Sequence, residues 1–177
     1  ENGFEISVKP FMDINLCNIV YVKGYLFKKI YGAIKGYIKR FLLIFTLYKY
    51  DVIYIFLWVT PFFDTFFEKI YVRLSKKIIY DIEDNVFIIL RNKINPITFY
   101  IKSKKKFIYL IKESSTVIAS SVELANKCNN IAGYKKSYYI PPGINKVKYS
   151  HSIKYRNSDQ ITIGWTGTFS SKKYLKL

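Results

Sequence analysis

Asp51-Val52-Ile53-Tyr54-Ile55-Phe56-Leu57 is the stretch from which the fold is read. One acidic residue introduces a continuous apolar run of strand length. Such runs suit a strand buried on both faces, as in a parallel sheet. A second strand of the same kind follows in Lys77-Ile78-Ile79-Tyr80-Asp81-Ile82 and ends in the acidic cluster Asp81, Glu83, Asp84. The 63–75 stretch between the two runs predicts a short helix, so the centre of the chain reads β-α-β.

The pattern extends in both directions. Toward the N-terminus, residues 21–47 take a helical period: Leu26, Ile30, Ile34, Ile38 and Leu42 recur at i, i+4, with Phe27, Phe41 and Phe45 widening the stripe. Gly24, Gly32 and Gly36 weaken that helix without overturning it. Earlier still, Phe4, Ile6 and Val8 alternate with polar residues as in a half-buried strand before Pro10. Toward the C-terminus, Asn95-Pro96 opens a basic helix over residues 97–112. Strand Thr116-Val117-Ile118-Ala119-Ser120, a helix over 122–129 and strand Ser137-Tyr138-Tyr139-Ile140 follow. The expected fold class is therefore α/β, a Rossmann-like parallel sheet with flanking helices.

Pro141-Pro142-Gly143 interrupts this alternation, and the residues up to 160 are polar and aperiodic. We read residues 1–142 as one Rossmann-like domain, 143–160 as a linker and 161–177 as the start of a second domain. Ile161-Thr162-Ile163-Gly164-Trp165 is a new strand running into Gly167-Thr168-Phe169-Ser170-Ser171, with a helix expected to begin after it. A strand, a Gly/Ser/Thr turn and a helix start make a common anion-binding construction, because the turn and the first helical N–H groups are free to bind oxygens. Gly164-x-x-Gly167 is neither a Walker A loop nor a dinucleotide fingerprint. The chain begins at Glu1 rather than Met and stops in mid-pattern at Leu177, and we expect it to be a piece of a longer protein.

The chain has 177 residues, of which 50% are hydrophobic, which excludes disorder. Its net charge is +17, from 29 Lys+Arg against 12 Asp+Glu. Only four of the cations are Arg, and the abundance of Lys, Ile, Tyr, Phe and Asn is also what A/T-rich codons produce. Base-edge readers favour Arg, so this surface suits diffuse attraction to anions better than nucleic-acid reading. The most apolar stretch, 52–63, is interrupted by Pro61 and is too short to span a bilayer. Cys17 and Cys128 match no metal spacing and no disulfide framework, so neither a metal nor a bound cofactor is expected.

Three segments, in this order and spacing, resemble glycosyltransferases of the GT-B type, in particular family 4 (group 1) enzymes. The first pairs Tyr50-Asp51-Val52-Ile53-Tyr54 with Lys77-Ile78-Ile79-Tyr80-Asp81-Ile82-Glu83-Asp84-Asn85-Val86-Phe87. The second pairs Val117-Ile118-Ala119-Ser120-Ser121-Val122-Glu123-Leu124-Ala125 with Tyr139-Ile140-Pro141-Pro142-Gly143-Ile144-Asn145. The third is Ile163-Gly164-Trp165-Thr166-Gly167-Thr168, then Ser170 and Tyr174-Leu175. The resemblance implies a two-domain enzyme that moves a sugar from a nucleotide-sugar donor to a glycan or lipid-linked acceptor. The first strand and most of the donor domain would lie outside this sequence, leaving the piece itself inert. It further implies a cytoplasmic protein, or one peripheral at the inner face of the cytoplasmic membrane, in polysaccharide biosynthesis.

On that resemblance Asp81 and Asp84 face the cleft on the acceptor side, while Glu83 is solvent-exposed. A capping role for Asp84 or Asn85 is the alternative. Gly164, Gly167, Thr168 and Ser170 would hold the donor diphosphate, and Gly143, Asn145 and Trp165 would lie at the hinge and cleft. Asn145 and Pro142 stand where the family often has Asp and Asn, and the loop after Gly164 lacks a Gly-Arg pair common among relatives. Lys28, Lys35 and Lys39 lie away from the i, i+4 stripe of the long helix. Two readings are open for that helix: a basic face lying on an anionic membrane surface, or an apolar stripe packed on the sheet with a solvated basic face. A non-enzymatic basic module binding membranes or polyanions is the competing function. Trp58 and Phe62, Phe63, Phe66 and Phe67 read as core, and His151 as incidental.

Overall fold

The computed structural model describes residues 3–20, 22–83 and 104–143. Among these described residues, four strands form one all-parallel sheet in the order β1-β2-β3-β4, with β1 at Ile53–Phe56, β2 at Ile78–Ile82, β3 at Thr116–Ala119 and β4 at Ser137–Tyr139. Helices flank the sheet: α1 (Ile14–Ile19), α2 (Leu26–Ile44), α3 (Phe66–Leu74), α4 (Lys104–Glu113) and α5 (Val122–Ala132). The expected α/β architecture with its parallel Rossmann-like sheet is present.

Alternation along the strands assigns the two faces of the sheet. Ile55, Ile78, Tyr80, Ile82, Val117 and Ala119 point to one side and are buried with Phe67, Tyr71, Phe107, Leu110, Leu124 and Cys128 from α3, α4 and α5. Tyr37, Leu43 and Ile44 of α2 pack against the same cluster. The other face carries Tyr54, Phe56, Asp81, Ile118 and Tyr138, half-buried or exposed among the described residues. Burial of the β1 run on both faces, expected from its unbroken apolarity, is thus seen on one face only.

Two further expectations need correction. Phe4, Ile6 and Val8 lie in a segment without strand pairing and are largely exposed, because no described strand offers them a ladder partner. The stripe Leu26, Ile30, Ile34, Ile38 and Leu42 does not pack on the sheet: all five are exposed, and α2 is held by its opposite side. Gly36 and Gly32 explain this orientation. A Cβ at Gly36 would stand 2.8 Å from the carbonyl oxygen of Phe11, and one at Gly32 would stand 2.7 Å from the Leu16 side chain. Two glycines on one helix side let the 11–16 segment lie against the backbone of α2.

Local chemistry sets the element ends. Asp13 caps α1 by accepting from the Leu16 N–H at 2.9 Å, and Ser121 caps α5 by accepting from the Leu124 N–H at 3.1 Å. Gly133, at φ +83°, closes α5 in the left-handed conformation. At the end of α4 the buried Lys136 donates to the carbonyl oxygens of Lys112 and Ser114 at 2.6 and 2.7 Å, placing a cation on the negative helix terminus.

Candidate functional site

Parallel pairing brings the carboxyl ends of the four strands to one edge, where open α/β sheets place ligands. A cleft of about 290 Å³ lies there, lined by Tyr54, Phe56, Asp81, Glu83, Ile118, Ser120, Ile140, Pro141 and Pro142. The register explains the gathering. Phe56 stands opposite Asp81, and Asp81 opposite Ile118, so the three side chains share the face opposite the described helices.

Within the cleft the Tyr54 hydroxyl donates to Oδ2 of Asp81. Burial, reinforced by the Asp81 carboxylate, raises the phenol well above its ordinary value and keeps it a protonated donor. Tyr54 therefore fixes one oxygen of Asp81 and the orientation of its carboxyl group. At the next strand end, Ser120 donates from Oγ to the backbone carbonyl of Glu83, tying the β2 exit to the β3 exit. The Glu83 side chain is exposed at the rim. Ile140 continues the sheet through its N–H to the Ala119 carbonyl at 3.1 Å, and this aligns Pro141 and Pro142 as a rigid wall.

The chain leaves β1 through Leu57 at φ +60°, unusual for a residue with a Cβ. Two bonds hold it there: its N–H donates to the Asp81 carbonyl at 3.1 Å, and its own carbonyl accepts from the Tyr80 hydroxyl at 3.0 Å. The following loop is anchored from below by a buried ion pair. Lys106 Nζ lies 3.3 Å from Glu68 Oε1 and donates to the carbonyl oxygens of Thr60 and Phe62 at 2.6 and 2.8 Å. Glu68 Oε1 accepts from the Val59 and Thr60 N–H groups at 3.1 and 3.3 Å. Burial pushes the Glu68 carboxyl up and the Lys106 ammonium down, and the attraction between them works against both shifts.

Of the residues singled out from the sequence, Asp81 lines the cleft. Gly143 is exposed, with nothing within 4 Å of where a Cβ would stand. Lys28, Lys35 and Lys39 are exposed on α2; Lys28 lies over the Tyr25 ring at 5.6 Å, and Lys35 is 3.7 Å from Asp13. Asp84, Asn145, Gly164, Trp165, Gly167, Thr168, Ser170 and His151 lie outside the described residues. Trp58 packs at 5.8 Å from the Phe107 ring and Phe67 is buried, as expected of core residues. Phe62, Phe63 and Phe66 are exposed instead, because the backbone turns through positive φ at Phe63 and Asp64 and directs them outward.

Sequence reasoning gave no role to Tyr54, Ser120 or Glu68, and it counted Lys106 with Lys102, Lys104 and Lys105 as a membrane-surface cation of the basic helix, whereas Lys106 is buried against Glu68. Tyr54 and Ser120 share the alternation phase of Asp81, but only the register of the paired strands shows it. Among the described residues no group of three or more His, Cys, Asp or Glu is placed to hold a metal ion. Comparison with family models, with curated proteins and with solved structures gave no match.

Proposed function

We propose that this chain forms the acceptor-side part of a nucleotide-sugar-dependent glycosyltransferase of GT-B type, completed by a donor-binding α/β domain of the same protein. The observation that carries the reading is the Asp81 carboxylate, oriented by the Tyr54 hydroxyl in a cleft at the carboxyl ends of a parallel sheet. An oriented carboxylate of this kind accepts a hydrogen bond from a sugar or lipid-linked hydroxyl and holds it for attack.

In the reaction, the acceptor oxygen forms a bond to the anomeric carbon as the bond from that carbon to the nucleotide diphosphate breaks. The acceptor's proton passes to the departing phosphate oxygen. Asp81 positions the acceptor and is not assigned as the nucleophile. The donor diphosphate belongs to the Gly164, Gly167, Thr168 and Ser170 turn, through backbone N–H groups and hydroxyls. The serial order of the three sequence segments is the second support.

The test is binding and turnover of uridine and guanosine diphosphate sugars by the protein made from its complete reading frame. The 177-residue chain serves as control. Binding by the complete protein and none by the control is the expected result; indifference of the complete protein to every nucleotide-sugar refutes the reading.

A further inference from the structure

We infer that the outward face of α2 is an insertion surface for an anionic lipid bilayer. Phe27, Ile30, Ile34, Ile38, Phe41 and Phe45 are each between 48% and 87% exposed. At about 100° per residue they fall within an arc of about 80°, a continuous apolar strip along the whole helix. Isolated exposed apolar side chains need no explanation, whereas a contiguous strip of this length does. The packing of the opposite side is already accounted for: Gly32 and Gly36 meet Leu16 and Phe11, Tyr37 meets Phe11 and Phe67, and Arg40 donates to the carbonyl oxygens of Lys9 and Val59 at 2.9 Å.

Charge selects the occupant. α2 holds five cations and no acidic residue. Lys35, Lys28 and Lys39 border the apolar strip, about 60–100° further round the helix. A second copy of the chain would bring two such basic borders, each on a molecule of net charge +17, against one another. A nucleic acid would match the lysines and leave the apolar strip in water. A bilayer with anionic headgroups satisfies both: the strip enters the acyl boundary and the lysines stay at headgroup level. No described helix is long and apolar enough to cross a membrane, so α2 would lie in the interface plane. The inference rests on the face of one helix and is independent of the transfer reaction.

The test is co-sedimentation of the 177-residue chain with phosphatidylglycerol-containing vesicles and with pure phosphatidylcholine vesicles. We expect at least about tenfold stronger binding to the anionic vesicles, weakened by salt. Phe27→Ser, Ile34→Ser and Ile38→Ser combined should abolish it with an unchanged melting temperature. Lys28→Gln with Lys39→Gln should remove the preference for anionic lipid. Phe41→Trp gives a direct reading that leaves the face apolar: its emission should shift to the blue on adding anionic vesicles. Absence of vesicle binding, an unshifted Trp emission, or a triple variant that still binds overturns the inference. So does a triple variant with a lowered melting temperature, which would mean that the chain covers this face itself, or one that converts a dimer to monomer.

Discussion

Lys106 Nζ sits 3.3 Å from Glu68 Oε1, with the two side chains 1% and 0% exposed, and the pair joins α4 to α3 beneath the loop that leaves β1. Both charges have given up water. What holds them is the set of N–H and carbonyl groups of Val59, Thr60 and Phe62 around them. Removing one partner leaves the other buried and unpaired, so Lys106→Met or Glu68→Gln should each cost about 3–5 kcal/mol. The double variant should cost less than the sum of the two, because it leaves no orphan charge. Urea denaturation of the four proteins of the cycle measures this directly; additive losses would show that the two groups are not coupled.

Tyr54 and Asp81 should separate stability from activity. Both lie on the open face of the sheet, so Tyr54→Phe and Asp81→Asn should change the melting temperature little. In the complete protein, Asp81→Asn should lower kcat/KM by about 10²-fold if the carboxylate orients the acceptor. Tyr54→Phe frees the carboxylate to rotate and should have a smaller effect in the same direction. The raised phenol of Tyr54 stays protonated through neutral pH, so a neutral-pH inflection in the rate profile must come from another group.

Gly36 tests the close approach of the 11–16 segment. Alanine normally favours a helix over glycine by about 1 kcal/mol. Here its Cβ would stand 2.8 Å from the Phe11 carbonyl oxygen, which is backbone and cannot step aside. Gly36→Ala should therefore destabilise by about 1–3 kcal/mol, against its propensity. A melting temperature at or above that of the parent would refute the packing.

The two thiols should differ in reactivity. Burial pushes the Cys128 thiol up to about 11, while Cys17 is exposed. A disulfide reagent at mildly alkaline pH should titrate one thiol in the native chain and both after denaturation. Rapid modification of both in the native state would place Cys128 outside the core.

Asp13 supplies an acid-side test. Its bond from the Leu16 N–H, helped by Lys35 and Lys39, lowers its carboxyl below the usual 3.8. A lowered folded value means stability present above the unfolded value and lost as the pH falls through the folded one. Asp13→Asn keeps the cap and removes the charge, so the parent should melt above the variant at neutral pH. That gap should close as the solution is acidified through this range. A gap that persists in strong acid would exclude the charge as its source.

The fold class came from local patterns because strands and helices imprint their own periods. The apolar runs around Ile55 and Tyr80 were readable from the chain alone. The placement of Asp81 at a strand exit was readable too, since its own strand supplies the signal. Its hydrogen-bond partner Tyr54 and its cleft neighbour Ser120 were not, because they come to Asp81 only through the register of three strands separated in sequence. The Glu68–Lys106 pair was hidden for the same reason. A charged residue in a short amphipathic helix looks solvated until a second helix brings its counter-ion.

The clearest division lies in α2. The sequence by itself determined that the helix exists and that one stripe of it is apolar, since both follow from spacing along a single chain. Only the tertiary structure decided which side faces the core. Two glycines admit the Phe11 and Leu16 segment more closely than the larger side chains of the stripe would, and Arg40 finds carbonyl partners on that side. Backbone proximity and buried hydrogen bonds therefore turned the i, i+4 stripe outward, a choice that hydrophobic periodicity alone cannot make.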